Sequence, residues 1–181
     1  MDHNLELRIS LLNRTPAALD ALLRGLPEEL THRNEGDGTW TVSDVIGHLI
    51  HCEHDNWIAR AKWIIEFGES RPFEAFNRFG QQEFCEGKSL DQLLDEFCRV
   101  RIESLSELRA LNLRKDDLER SGLHPALGTV TLSQLLATWA AHDLTHLHQI
   151  SRIMAYQYKD MVGPWNRFLG VMHCNGHSAA A

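Results

Sequence analysis

Between Leu135 and Ile153 the inward positions of one stretch are Leu135, Trp139, His142, His146, Ile150 and Ile153, at steps of four, three, four, four and three. At 3.6 residues per turn that spacing confines all six to one helical face, so the stretch has to be buried on that side. Two of the six are histidines standing where leucines are expected. Burying an imidazole without a partner costs about 1–3 kcal/mol per unsatisfied polar group, so the core must contain something that uses those nitrogens. Residues at i and i+4 lie about 40° apart around the axis and about one turn apart along it, which lets both rings address one ion.

The same periodicity recurs three more times. Leu5, Ile9, Leu12, Leu19, Leu22, Leu23 and Leu26 predict a first helix over roughly 3–24, with Pro16 either kinking it or opening a new helix after Arg14-Thr15. Gly25 and Pro27 end it, and the polar run from Thr31 to Thr39 reads as a loop. Thr41-Val42-Ser43-Asp44 supplies caps for a second helix over about 42–67, through Val45, Ile46, Leu49, Trp57, Ile58 and Trp63. Gly68 to Gly87 reads as a long connection with a short helix, its aromatics Phe73, Phe76, Phe79 and Phe84 covering an opening in the core. Ser89-Leu90-Asp91-Gln92 starts a third helix to about Leu111, and Thr131-Leu132-Ser133-Gln134 resembles a capping box opening the fourth.

Between the third and fourth helices Ser121-Gly122-Leu123-His124-Pro125 and Gly128 form a turn-rich linker, and no strand pattern is apparent. Four amphipathic helices predict an all-α helix bundle, with a short extra helix around Gly163-Pro164-Trp165 and Phe168-Leu169. The expected organisation is one domain over 1–175 and a flexible tail over 176–181.

With 43% hydrophobic and 24% charged residues in 181, the chain has the balance of an ordinary globular domain. A formal charge of −7 argues against sequence-independent binding to nucleic acid or to an anionic membrane surface. Arg99, Arg101 and Arg114 with Lys115 alternate with acidic residues and read as a solvated helix face. Met1-Asp2-His3-Asn4-Leu5-Glu6 lacks the basic start and apolar run of a signal peptide, and no stretch approaches the ~20 apolar residues of a membrane span. Cys52, Cys85, Cys98 and Cys174 are scattered without a Cys-x-x-Cys pair, so reduced thiols and a cytoplasmic location are expected.

Two ligands from one helix do not complete a transition-metal site. His48 faces inward on the second helix with Val45, Cys52, Asp55 and Ala59, which makes it the best third donor. Three neutral imidazoles from facing helices suit zinc, nickel or another divalent first-row ion. Three protein ligands leave a position open, where water is activated toward hydroxide or a thiol is held as thiolate. Asp55 is a weak catalytic candidate that orients a ligand imidazole or acts as base, with an ordinary surface carboxylate as the alternative. Cys52 is either a soft ligand or a small core residue, and Asp143 either supports the site or faces solvent. His51 is placed beside the site, whereas His54 and His148 point away.

Trp40-Thr41-Val42-Ser43-Asp44-Val45-Ile46-Gly47-His48-Leu49 with Glu53, and His142-Asp143-Leu144-Thr145-His146-Leu147-His148-Gln149-Ile150, resemble the paired signatures of the DinB/YfiT-like superfamily. Arg14-Thr15-Pro16 and Val162-Gly163-Pro164-Trp165 are also similar to features of that family, so the resemblance covers nearly the whole chain. It implies an up-and-down four-helix bundle of unusual connection order, a homodimer, and a divalent metal on His48, His142 and His146. Many members carry two adjacent histidines at the end of the second motif, where this chain has Thr145 before His146.

The resemblance also implies a metal-dependent enzyme that uses a low-molecular-weight thiol, in the manner of bacillithiol- or mycothiol-dependent S-transferases, or water, against a small-molecule electrophile. The alternative is a non-catalytic, metal-stabilised helical bundle acting as a stress-related binding or interaction protein.

Overall fold

Each of the four long predicted helices forms, and two of them break. In the computed structural model, which describes residues 3–77 and 79–174, the first splits into α1 (His3–Leu12) and α2 (Thr15–Leu23). Pro16 sits in the first turn of α2, where its missing N–H removes no intrahelical bond, so the break falls before it rather than at a kink. A single turn, α3 (Glu28–Thr31), precedes the loop to Thr41. The second helix divides at Asn56, whose φ of −114° and ψ of −67° lie off helical values, into α4 (Val42–Asp55) and α5 (Trp57–Phe67).

A short α6 (Gln81–Cys85) lies against α4. The third long helix is α7 (Leu90–Ala110), the turn α8 (Lys115–Leu118) follows it, and α9 (Leu132–Tyr156) is the fourth. Reciprocal capping boxes at Thr41/Asp44, Ser89/Gln92 and Thr131/Gln134 start α4, α7 and α9, as their sequences predict.

The turn-rich linker is a correction. β1 (Ser121–His124) and β2 (Gly128–Thr131) pair antiparallel, with Ser121 opposite Thr131 and His124 opposite Gly128. His124 Nδ1 accepts the N–H groups of Ala126 and Leu127 at 3.1 and 3.2 Å, closing the hairpin with a side chain. Strands of four residues beginning Ser-Gly and Gly-Thr are too short for a two-residue period to show in the sequence. The expected C-terminal helix is two 3₁₀ segments, Gly163–Phe168 and Gly170–Met172. The tail over 176–181 lies outside the described residues.

The long helices form a four-helix bundle in which the first (α1 and α2) packs on α7 and α9, and the second (α4 and α5) packs on the same two. The first and second therefore stand diagonally across the bundle, as do α7 and α9.

Its core is divided by height. One apolar cluster joins Leu5, Ile9, Leu12, Trp57, Leu105 and Trp139, and another joins Leu19, Leu23, Val45, Ile46, Phe97 and Ile153. Around the level where the clusters meet, the long helices carry buried polar residues, among them Thr15, His48, Glu53, Arg101, Asp143 and His146. This polar layer positions the site.

Candidate metal centre

Thr41 accepts the Asp44 N–H on Oγ1 at 3.2 Å, and Asp44 Oδ2 accepts the Thr41 N–H at 2.8 Å, which fixes the start of α4 two turns before His48. The stripe of α9 delivers His142 and His146 opposite it. The three histidines offer ligand atoms that all lie within 4.8 Å of one another. His142 Nε2 is 3.2 Å from His48 Nε2 and 3.1 Å from His146 Nε2. His48 and His146 are 8% and 7% exposed, and His142 is half-buried. Trp40 packs on His48 with ring centroids 5.0 Å apart and stacks toward His146, Trp57 meets His142 edge-on at 5.0 Å, and Phe76 sets its edge on His48.

The chemistry of these nitrogens fits a divalent cation. Gln149 Oε1 lies 2.7 Å from His146 Nδ1, so that nitrogen carries the proton and Nε2 presents its lone pair. Burial, and then the neighbouring histidines, hold His48 down to about 3 and His142 well below the ordinary histidine value. Both rings are neutral at pH 7, so each has a nitrogen lone pair to offer, and their Nε2 atoms converge with that of His146. With the protons of His48 and His142 also on Nδ1, three lone pairs 3.1–3.2 Å apart can turn onto one cation. Nitrogens ~2.1 Å from a tetrahedral ion stand about 3.4 Å apart, close to the observed spacing.

Cys52 Sγ is 3.5 Å from His48 Nε2, and burial pushes its thiol above the ordinary range, so it stays protonated as a core residue. Asp55 is exposed and holds none of the three imidazoles; its Oδ2 lies 3.1 Å from His51 Nε2. His51 is buried between Phe76 and Phe84, whose ring centroids are 4.5 and 5.5 Å away. Phe73 is buried, but Phe79 faces outward at 65% exposure, so the aromatic cover is built from Phe76 and Phe84 without it. His54 is exposed, and His148 is half-buried outside the cluster.

Arg101 overturns its expected place on a solvated face: it is 1% exposed. Its Nη1 donates to Asp143 Oδ2 at 2.6 Å and to the Leu12 carbonyl at 2.8 Å, and its Nη2 donates to Asp143 Oδ1 at 2.9 Å and Glu53 Oε1 at 2.8 Å. Trp139 Nε1 donates to the same Glu53 oxygen at 3.0 Å. Asp143 is therefore wholly buried, which settles its two readings, and desolvation pushes the Glu53 carboxyl up against the pull of Arg101. A signal for Arg101 was present, since it falls four residues after Phe97 and seven before Leu108 on the apolar stripe of α7. Gln149, three residues after His146, lies on its face in the same way.

No curated protein matches this sequence. The structure resembles that of YfiT from Bacillus subtilis, described as a probable metal-dependent hydrolase with an unusual four-helix bundle topology. The TM-score is 0.66 at 20% identity, covering 90% of this chain and 90% of that one. That likeness is one of fold. The sequence matches the DinB superfamily over residues 11–150, a span that contains all three clustered histidines, Gln149 and the Arg101 network. The chain belongs to the DinB superfamily.

Proposed function

We propose that this protein is a metal-dependent enzyme in which His48, His142 and His146 hold a zinc or nickel ion and a water or low-molecular-weight thiol attacks a small electrophile. The observation that supports it is the convergence of three Nε2 atoms, one with its tautomer held by Gln149 and two kept neutral by burial. A divalent ion on three imidazoles, with a position left open, lowers the pKa of bound water toward ~7 or holds a thiol as thiolate. Gln149 keeps the His146 proton on Nδ1, while Trp40, Phe76 and Trp57 pack against the three rings and shield them from bulk water. The description of YfiT supports water as the nucleophile; the resemblance to thiol-dependent transferases supports the thiol. A reducing cytoplasm suits the unpaired Cys52, Cys85, Cys98 and Cys174.

The test is metal content and thiol binding of protein purified without a nickel column. One equivalent of bound ion is expected, with ion and thiol binding lost together in His142→Ala. A preparation that stays metal-free after incubation with zinc and nickel at neutral pH overturns the reading.

A second reading, a metal-stabilised bundle that docks a protein partner or a second copy without turnover, is favoured by Met161, Trp165 and Phe168, exposed at 72%, 69% and 70%. Metal removal then lowers the melting temperature with no activity to lose. Turnover that tracks metal occupancy rejects it.

A further inference from the structure

The three histidines come from only two helices, so the 3.2 Å between His48 Nε2 on α4 and His142 Nε2 on α9 requires those helices to hold their relative height and rotation closely. Apolar packing above and below does not specify this by itself, because dispersion contacts carry little directionality. Directional, water-excluded bonds do. The polar layer contains one such set, the Arg101 guanidinium, donating across the diagonal of the bundle to Asp143 of α9, sideways to Glu53 of α4, and to the end of α1 at Leu12. Asp143 directly follows His142, and Glu53 follows His48 by five residues, about 140° around α4. The network and the histidine cluster thus lie on different flanks of the same two helices, within about one and a half turns of each other.

We propose that Arg101 is the positioning residue of the metal centre, its fork locking Glu53 and Asp143 in the one register that lets His48 meet His142 and His146. The proposal rests on the reading of the three histidines as a metal site. Stability alone does not account for the network, since buried ion pairs are often replaced by apolar residues without loss, and setting register is their best-attested use. The bidentate grip on Asp143 fixes both translation and rotation, which a lysine cannot do. Arg101 Cζ also lies 4.9 Å from the Phe97 ring and 5.4 Å from the Trp139 ring, so the fork itself is held in place.

The experiment measures zinc affinity by chelator competition and the visible spectrum of the Co²⁺-loaded protein, alongside thermal melting, for four proteins. They are the wild type, Arg101→Lys, the uncharged triple variant Arg101→Met with Glu53→Gln and Asp143→Asn, and Leu108→Ala as a core control two turns along α7. The expected result is a zinc affinity about 10–100-fold weaker and a shifted Co²⁺ spectrum in both network variants. Leu108→Ala should lose melting temperature and keep both metal readouts. The triple variant, having no charge to bury, keeps the test open should Arg101→Lys fail to fold. Folded network variants with wild-type zinc affinity and Co²⁺ spectrum overturn this proposal alone. A wild type that binds no metal overturns the metal-centre reading itself.

Discussion

Gln149 accepts the Nδ1 proton of His146 at 2.7 Å, within one turn of α9, and so decides which nitrogen of that ring faces the other two histidines. Losing such an outer hydrogen bond typically weakens metal binding by about 10–100-fold. Gln149→Met should show a loss of that size in a zinc competition titration, and Gln149→Glu, which keeps an acceptor, should recover most of it. Equal affinity in Gln149→Met would show that the bond is dispensable.

Metal should also stabilise the fold. At free zinc 100 times the dissociation constant, binding contributes about 2.7 kcal/mol, which for a chain of this size raises the melting temperature by about 5–10 °C. A chelator should reverse the rise, and His48→Ala should abolish it. Superimposable melts with zinc and with chelator would count against the site.

The metal-free protein should weaken in mild acid. Burial holds His48 to about 3, far below the 6.5 it has when unfolded, so between these values the unfolded chain takes up a proton that the folded chain refuses. Stability from this group is complete above pH 6.5 and is lost as pH falls, by about 2 kcal/mol at pH 5. His142 acts in the same direction. Urea midpoints of chelated protein at pH 7.5 and 5 measure the effect, and unchanged midpoints would mean that the folded cluster accepts the proton.

Gly80 is required by His51. A Cβ at residue 80 would stand 2.2 Å from His51 Cε1, and that ring is held by Phe76, Phe84 and Asp55. Gly80→Ala should therefore cost about 1–3 kcal/mol through overpacking, read as a fall of about 2–12 °C in melting temperature. A melt within a degree of wild type would show that the segment over α4 moves aside freely.

Much of the candidate site was legible because its ligands occupy core positions. His142 and His146 interrupt an apolar stripe, and His48 follows a capped helix start on an inward face, so face, spacing and burial could all be argued locally. Arg101 was legible only in part. An arginine on an apolar stripe looks like its neighbours Arg99 and Arg114 until the acids that neutralise it are known, and those acids sit on α4 and α9, 48 and 42 residues away. Asn56 hides the break in the second helix for a similar reason, since its own propensity does not forbid continuing.

The sequence by itself determined four amphipathic helices, three of them capped, the acidic balance of the surface and the three imidazoles that turn inward. Each of these depends on residues within a few turns of one another, where helical periodicity is a sufficient guide. The tertiary structure alone decided that the first and second long helices stand diagonally, that a hairpin leads into α9, and that Arg101 joins α1, α4 and α9 through the middle of the bundle. Periodicity reports which face of a helix is buried but carries nothing about which helix buries it; that choice belongs to packing and to long-range charge pairing.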